Sequence, residues 1–286
     1  MTFVTGLFDA GLAFLALFLV FRPLEFAHPA REGQRVLRPQ FWTDVGFLVG
    51  QYVLFNALVL RALAYAQPWI RAAMPVGVRS CVGALPVWVQ AILVILGGDL
   101  LIYWGHRLQH RVGFLWRFHS IHHSAEHLDW LAAHREHPVD AIYTQLLVNL
   151  PIFALGFPLR TLALFAAFRG LWAVYIHANV RLPIGPLRVL IGAPELHHLY
   201  HHRARDSGNY ANVSPLMDVL FGTYRCPDHE PPALGTDEPV PAGYLGQLAY
   251  PFGLAKRRGS AGGRPTRPKI RAWTGPSHIV GRPHKS

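Results

Sequence analysis

Charge is the scarcest resource in this chain. Of 286 residues, 15% are Asp, Glu, Lys or Arg, while 51% are hydrophobic. A soluble domain carries about 25% charged residues, so this chain has too little charge to coat a surface that faces water. Cysteine is nearly absent. Cys81 and Cys226 are far apart and form no CxxC pair, which excludes a disulfide framework and a thiolate metal site. No GxGxxG fingerprint marks a flavin or nicotinamide site, and no HPGG-like segment marks a fused haem domain. Acidic residues number 16 against 27 basic ones, a formal charge of +11. Much of that excess lies in the Gly- and Pro-rich stretch from Lys256 to Lys285, expected to be a disordered basic tail attracted to anionic headgroups. No recognition motif accompanies the charge, so nucleic acid is not an expected partner.

Long apolar runs are what the chain has instead. They cover about residues 3–21, 45–66, 85–104, 141–157 and 159–176. Each approaches the ~20 residues that cross the hydrocarbon core. The last two are short, are separated by Gly156-Phe157-Pro158, and read as a helical hairpin. Lipid offers the backbone no other hydrogen-bond partner, so all are expected to be helical. The expected fold is an all-α integral membrane bundle of four to five helices with a helical cap. The division is 1–104 for membrane helices and a connecting segment, 105–230 for the chemistry, and 231–286 for the tail. The first run has no Lys or Arg before it and reads as an uncleaved anchor rather than a signal peptide. Arg22, Arg31, Arg35 and Arg38 follow the first run, Arg107, Arg111, Arg117 and Arg135 the third, and Arg181, Arg188, Arg203 and Arg205 the fifth. The positive-inside rule therefore turns those regions to the cytoplasm and the N-terminus outward.

The 17 histidines are not scattered. Most crowd into 106–137 and 197–202, regions that the charge argument brings to one membrane face. His106 and His110 form HxxxH, one helical turn apart on one face. His119, His122 and His123 form HxxHH, and so do His198, His201 and His202. On a helix the outer two histidines of HxxHH share a face while the middle one points elsewhere, so one segment can serve two metals. Eight imidazoles are too many for one tetrahedral zinc. Imidazole suits iron, copper, nickel and zinc alike, so ligand type leaves the metal open. Glu126, Glu136 and Glu195 do not repeat as ExxH, which makes the donor set histidine-dominated.

The HxxxH, HxxHH and HxxHH series resembles the fatty acid hydroxylase and sterol desaturase superfamily of membrane non-haem di-iron oxygenases. The stretches Asp99 to Arg107, Trp116 to His119, Arg135-Glu136-His137-Pro138, His177-Ala178-Asn179, Asn209-Tyr210 and Leu220 to Thr223 extend the likeness over about 95–225. The resemblance implies two iron ions, molecular oxygen, a lipid substrate, and electrons from a separate carrier, cytochrome b5-like or ferredoxin-like with its reductase. It assigns His106, His110, His119, His122, His123, His198, His201 and His202 to the metals and adds His177 as a ninth ligand. His137 is a weaker candidate because its Pro neighbour suggests a turn, and His197 pairs with His201 by i+4 spacing. Asp99 and Asp206 are candidates to orient histidines by accepting a ring N–H, or else ion-pair with neighbouring arginines. The expected activity is hydroxylation or desaturation of a sterol, fatty acyl chain or related lipid. The rival readings are a membrane metal-ion transporter and a non-catalytic metal-binding membrane protein. A transporter would place ionisable groups at mid-membrane, where these runs have almost no His, Asp or Glu.

Overall fold

The computed structural model describes residues 3–157, 159–203, 207–227 and 229–254. Among them every regular element is helical, as the apolar runs predict. Asp206 and the basic tail lie outside the described residues.

Helix α1 (Phe3–Ala27) is apolar on every side, and Phe8, Leu12, Leu15 and Leu19 face outward. A helix that is hydrophobic all round belongs in a core or in lipid. Helices α2 (Phe41–Gly50) and α3 (Asn56–Ala73) run on from one another through a π-turn, Gln51–Phe55. The extra residue of such a turn re-aims side chains, and Gln51 and Tyr52 from this turn line the central cavity. A short α4 (Val76–Gly83) leads into α5 (Val87–Arg111), whose start is set by Pro86. Among the described residues, three helical runs are long and apolar enough to cross a membrane, Phe3–Ala27, Phe41–Ile70 and Val87–Arg111, with Leu164–His177 a shorter apolar helix. The chain is thus a membrane helical bundle.

The hairpin pairs α7 (Pro138–Ala154) with α8 (Leu159–His177). At its turn Gly156 has φ +93°, and a Cβ there would press within 2.7 Å of the Arg79 backbone, so the position requires glycine. Small residues also let α5 approach its neighbours: a Cβ on Gly98 would lie 2.5 Å from the Phe165 ring of α8, and one on Gly105 would overlap Leu147 of α7.

The cap is built from α6 (Gly113–His122), a 3-10 turn at Ala132–His134, α9 (Pro194–Tyr200), α10 (Leu216–Leu220) and α11 (Tyr244–Ala249). It is fixed to the stem by polar pins. Glu25, at the end of α1, accepts from the Trp130 and Asn179 amides at 2.9 and 3.1 Å. Beside it, Phe14 meets Trp130 edge-on at 5.2 Å. Arg38 bonds Asp129 in a fork, and Asp44 holds Arg135 at 2.5 and 2.9 Å while also meeting Arg38. All four are buried. Removing one member of a buried ionic set leaves the others uncompensated, at a cost of about 3–5 kcal/mol.

Candidate metal centre

Four helices, two of the stem and two of the cap, deliver histidines to one point above the stem. The C-terminal end of α5 carries His106 and His110, α6 ends in His119 and His122 with His123 just beyond, α8 ends at His177, and α9 brings His197 with His201 after it. They sort into two groups of converging donors: His122, His177, His197 and His201 in one, His110, His119 and His123 in the other. Adjacent residues of one HxxHH segment thus enter different groups, His119 and His123 together and His122 opposite. The groups adjoin, with the His123 and His201 ring centres 4.7 Å apart.

In the first group the Nε2 atoms stand 3.1 Å apart for His122 and His177, and 3.0 Å for His177 and His197. His201 Nε2 is 3.3 Å from that of His177 and 3.2 Å from that of His197. Such separations are those of ligands around one ion with metal–nitrogen bonds of roughly 2.1 Å. The Nδ1 atoms decide the protonation. His122 Nδ1–H donates to the Arg135 carbonyl and His177 Nδ1–H to the Ala173 carbonyl, since a carbonyl only accepts. Both Nε2 atoms therefore present lone pairs, and two lone pairs 3.1 Å apart repel unless a cation lies between them. Protonating a ring would relieve this, but burial, reinforced by the neighbouring histidines, holds His122, His197 and His201 well below the usual imidazole range.

The second group has the same signature. His106 Nδ1–H donates to the Tyr210 carbonyl at 2.8 Å, and His119 Nδ1–H to the Asp140 carboxylate at 2.8 Å. Their Nε2 atoms, with that of His110, converge on the Tyr200 hydroxyl at 2.7, 2.5 and 2.7 Å. One phenol proton cannot serve two fixed lone pairs. His123 Nε2 is buried with no partner. The donor sets of both groups fit metal ions better than they fit protons alone.

The surroundings hold these rings in place. Asp140 is itself bonded by Gln109 at 2.5 Å. The Arg135 carbonyl is positioned by the Asp44 cluster, so the ionic pins reach His122 through the backbone. Asp218 accepts from the Tyr210 and Ala211 amides and from Thr223, fixing the segment whose carbonyl orients His106. Asp99 accepts from the Val213 and Ser214 amides at 2.9 and 2.6 Å. It stabilises the same segment and, among the described residues, bonds neither a histidine nor an arginine.

Three of the sequence-assigned box residues stand outside both groups: His106 borders the second through the shared Tyr200 hydroxyl, while His198 and His202 lie apart. His198 bonds Glu230 through Nδ1 at 2.7 Å and the Ala178 carbonyl through Nε2 at 3.1 Å. His202 is buried in the segment that bridges to Leu234. His197 occupies the place that box spacing gives to His198, because successive residues of α9 turn by about 100°. His137 caps α7: its Nδ1 accepts from the Val139 amide and its Nε2 meets the Leu248 carbonyl. Tyr200, Asp140 and Glu230 were not singled out by spacing, since a residue that meets the histidines from a different helix leaves no periodic mark.

Beneath the rings lies a cavity of about 670 Å³, roofed by His106, His119 and His122 and walled by α1, the π-turn, α5, α7 and α8. Its lining mixes Ala13, Leu17, Ile102 and Val174 with Gln51, Glu136, Gln145 and Arg169. Its size falls within the roughly 300–1,000 Å³ of small-molecule sites.

Fold and site together define a membrane helical bundle with buried clusters of histidine donors, able to hold metal ions, over a cavity of small-molecule size. The chain matches the fatty acid hydroxylase family model over residues 91–223. It is 32% identical over 188 residues to the ornithine lipid hydroxylase OlsE of Rhizobium tropici, covering 62% of this chain and 56% of the relative. It is 34% identical over 155 residues to the alkylglycerol monooxygenase of Homo sapiens, covering 54% and 34%. With the methylsterol monooxygenase 2-2 of Arabidopsis thaliana it shares 26% over 202 residues, covering 68% and 70%. The chain therefore spans about half the length, or less, of the first two. No solved structure matches it significantly.

Proposed function

We propose that the protein is a membrane-bound di-iron oxygenase that hydroxylates or desaturates a lipid with molecular oxygen and electrons from a separate carrier protein. The observation that carries this reading is the pair of adjoining histidine groups whose fixed lone pairs converge with too few protons to satisfy them. His122, His177, His197 and His201 would hold one iron, and His106, His110, His119 and His123 the other. Iron supplies the oxidising power that an unactivated C–H bond requires, which no side chain of this chain offers.

The protein's own contribution is position and dryness. Carbonyls of Arg135, Ala173 and Tyr210 and the Asp140 carboxylate keep ring N–H groups turned away from the centre. The cavity receives the lipid from the bilayer side, with its reactive carbon below His119 and His122. Tyr200 presents a hydroxyl among three rings, a donor able to hold a proton at the edge of the centre. Named activities of the relatives, a lipid hydroxylase and two monooxygenases, support oxidation of a lipid. The donor histidines sit in the cap and at helix ends rather than at mid-span, which suits an enzyme better than a transporter. The charge pattern supports an orientation with the histidine face toward the cytoplasm and the N-terminus outside.

The test is lipid analysis of membranes supplied with ¹⁸O₂. The intact protein should yield a lipid that gains labelled oxygen or loses two hydrogens, and His122→Ala should abolish it. Identical lipid profiles for both proteins would refute the reading.

A further inference from the structure

The apolar run of α8 is interrupted by Arg169, eight residues before His177. At ~1.5 Å per residue that is roughly 12 Å down the helix from the histidine layer. Arg169 is 6% exposed and lines the cavity. A charged residue inside a membrane helix is costly and is retained where it meets a partner or a ligand.

Its partners fall short of its donors. Nη2 donates to Gln145 Oε1 at 2.8 Å, and Asn149 Nδ2 donates to the same oxygen at 2.8 Å. With that oxygen doubly engaged, the Gln145 amide nitrogen is left as a donor, and it has no acceptor among the described residues. Glu136 and Asp99 attract the guanidinium from nearby, yet neither closes an ion pair with it among the described residues. The contrast with the cap is direct: Arg38 and Arg135, equally buried, are each forked onto a carboxylate. Arg169 has a neutral amide in place of one. Gln145 and Thr144 line the cavity beside it, so this part of the wall offers the guanidinium and amide N–H groups and a hydroxyl, with Glu136 as the one carboxylate among the described lining residues.

We propose that Arg169 and Gln145 form a recognition site for an oxyanion on the lipid, a carboxylate or a phosphate, which anchors the molecule while its hydrocarbon extends toward His119 and His122. The inference rests on the reading that this cavity holds the substrate. A guanidinium fork matches both oxyanions with two parallel bonds. The site therefore selects an acidic lipid over a neutral one, and the oxidised carbon lies on the order of 10 Å from the anchored group.

The experiment uses the full chain, expressed with iron and purified in mild detergent. Affinities for hexadecanoate, hexadecyl phosphate and methyl hexadecanoate are measured by calorimetry, with iron per chain determined on the same samples. At least one anion should bind tenfold or more tightly than the methyl ester, and the preferred anion names the source of the oxyanion. Arg169→Gln and Gln145→Leu should each reduce the preference at least severalfold with iron content unchanged. Arg169→Lys should keep part of it. A methyl ester that binds the intact protein as well as both anions do, or a preference that survives Arg169→Gln, would overturn the proposal. The comparison does not require iron, so an iron-free sample would count against the metal centre alone and leave this result to stand on its own.

Discussion

His134 shows how a single ring reports its surroundings. It sits in the cap, its Nδ1 bonded to Gln51 at 2.8 Å, and burial pushes its pKa down to about 4. The unfolded chain binds that proton near pH 6.5. The folded state therefore binds fewer protons between pH 6.5 and 4, and stability falls as pH drops through that window and levels off below it. The contribution is about 3–4 kcal/mol when fully expressed. His134→Gln, which retains a side-chain amide for Gln51, should flatten the fall of melting temperature between pH 7 and 4.5. An unchanged pH profile would show that the ring is not buried as a neutral group. At the same scale the histidine roles separate by mutation. His197→Ala should lose as much bound metal as His122→Ala, whereas His198→Ala, which breaks only the Glu230 and Ala178 contacts, should keep most of it. Metal analysis of the three variants gives the answer, and an equal loss in all three would merge His198 with the ligands.

At the scale of elements, the bundle depends on close approach along α5. Gly98→Val would drive its side chain into Phe165, and such overpacking costs about 1–3 kcal/mol. A lowered melting temperature in detergent is expected, partly relieved by Phe165→Ala in the double variant; additive losses would mean the two positions do not meet. The apolar runs were legible because lipid demands continuous hydrophobicity, and α1, α5 and the hairpin stand close to where composition puts them. The HxxxH and HxxHH spacings were legible as segments that gather histidines at one place, and most of those rings do converge. What spacing could not supply was rotation and long-range pairing. Helix α9 presents His197 and His201 rather than His198 to the centre, a difference of one residue in a segment where either choice reads as a box. Asp140 meets His119 across 21 positions of sequence and Tyr200 meets His106 across 94. The π-turn that brings Gln51 to the cavity leaves no mark in an apolar stretch. Arg169 did carry a signal, a lone cation inside an apolar run, of the kind that marks a functional position in a membrane helix.

On the scale of the whole molecule, the proposed orientation turns the basic segments to the cytoplasm, and the two native cysteines test it without engineering a probe. Cys81, exposed, lies in α4 between the second and third spanning helices, and Cys226 follows the histidine cap. In intact cells a membrane-impermeant maleimide should label Cys81 and spare Cys226, with Cys226 reacting only after lysis. The reverse pattern would invert the proposed orientation. The central claim is the paired metal centre beneath that cap, and metals per chain measured by plasma mass spectrometry on iron-supplemented protein test it most directly. Close to two irons per chain, with a substantial loss on His122→Ala, is the predicted result. A folded protein that binds no metal would contradict the account, and the proposed oxygenase activity would fall with it.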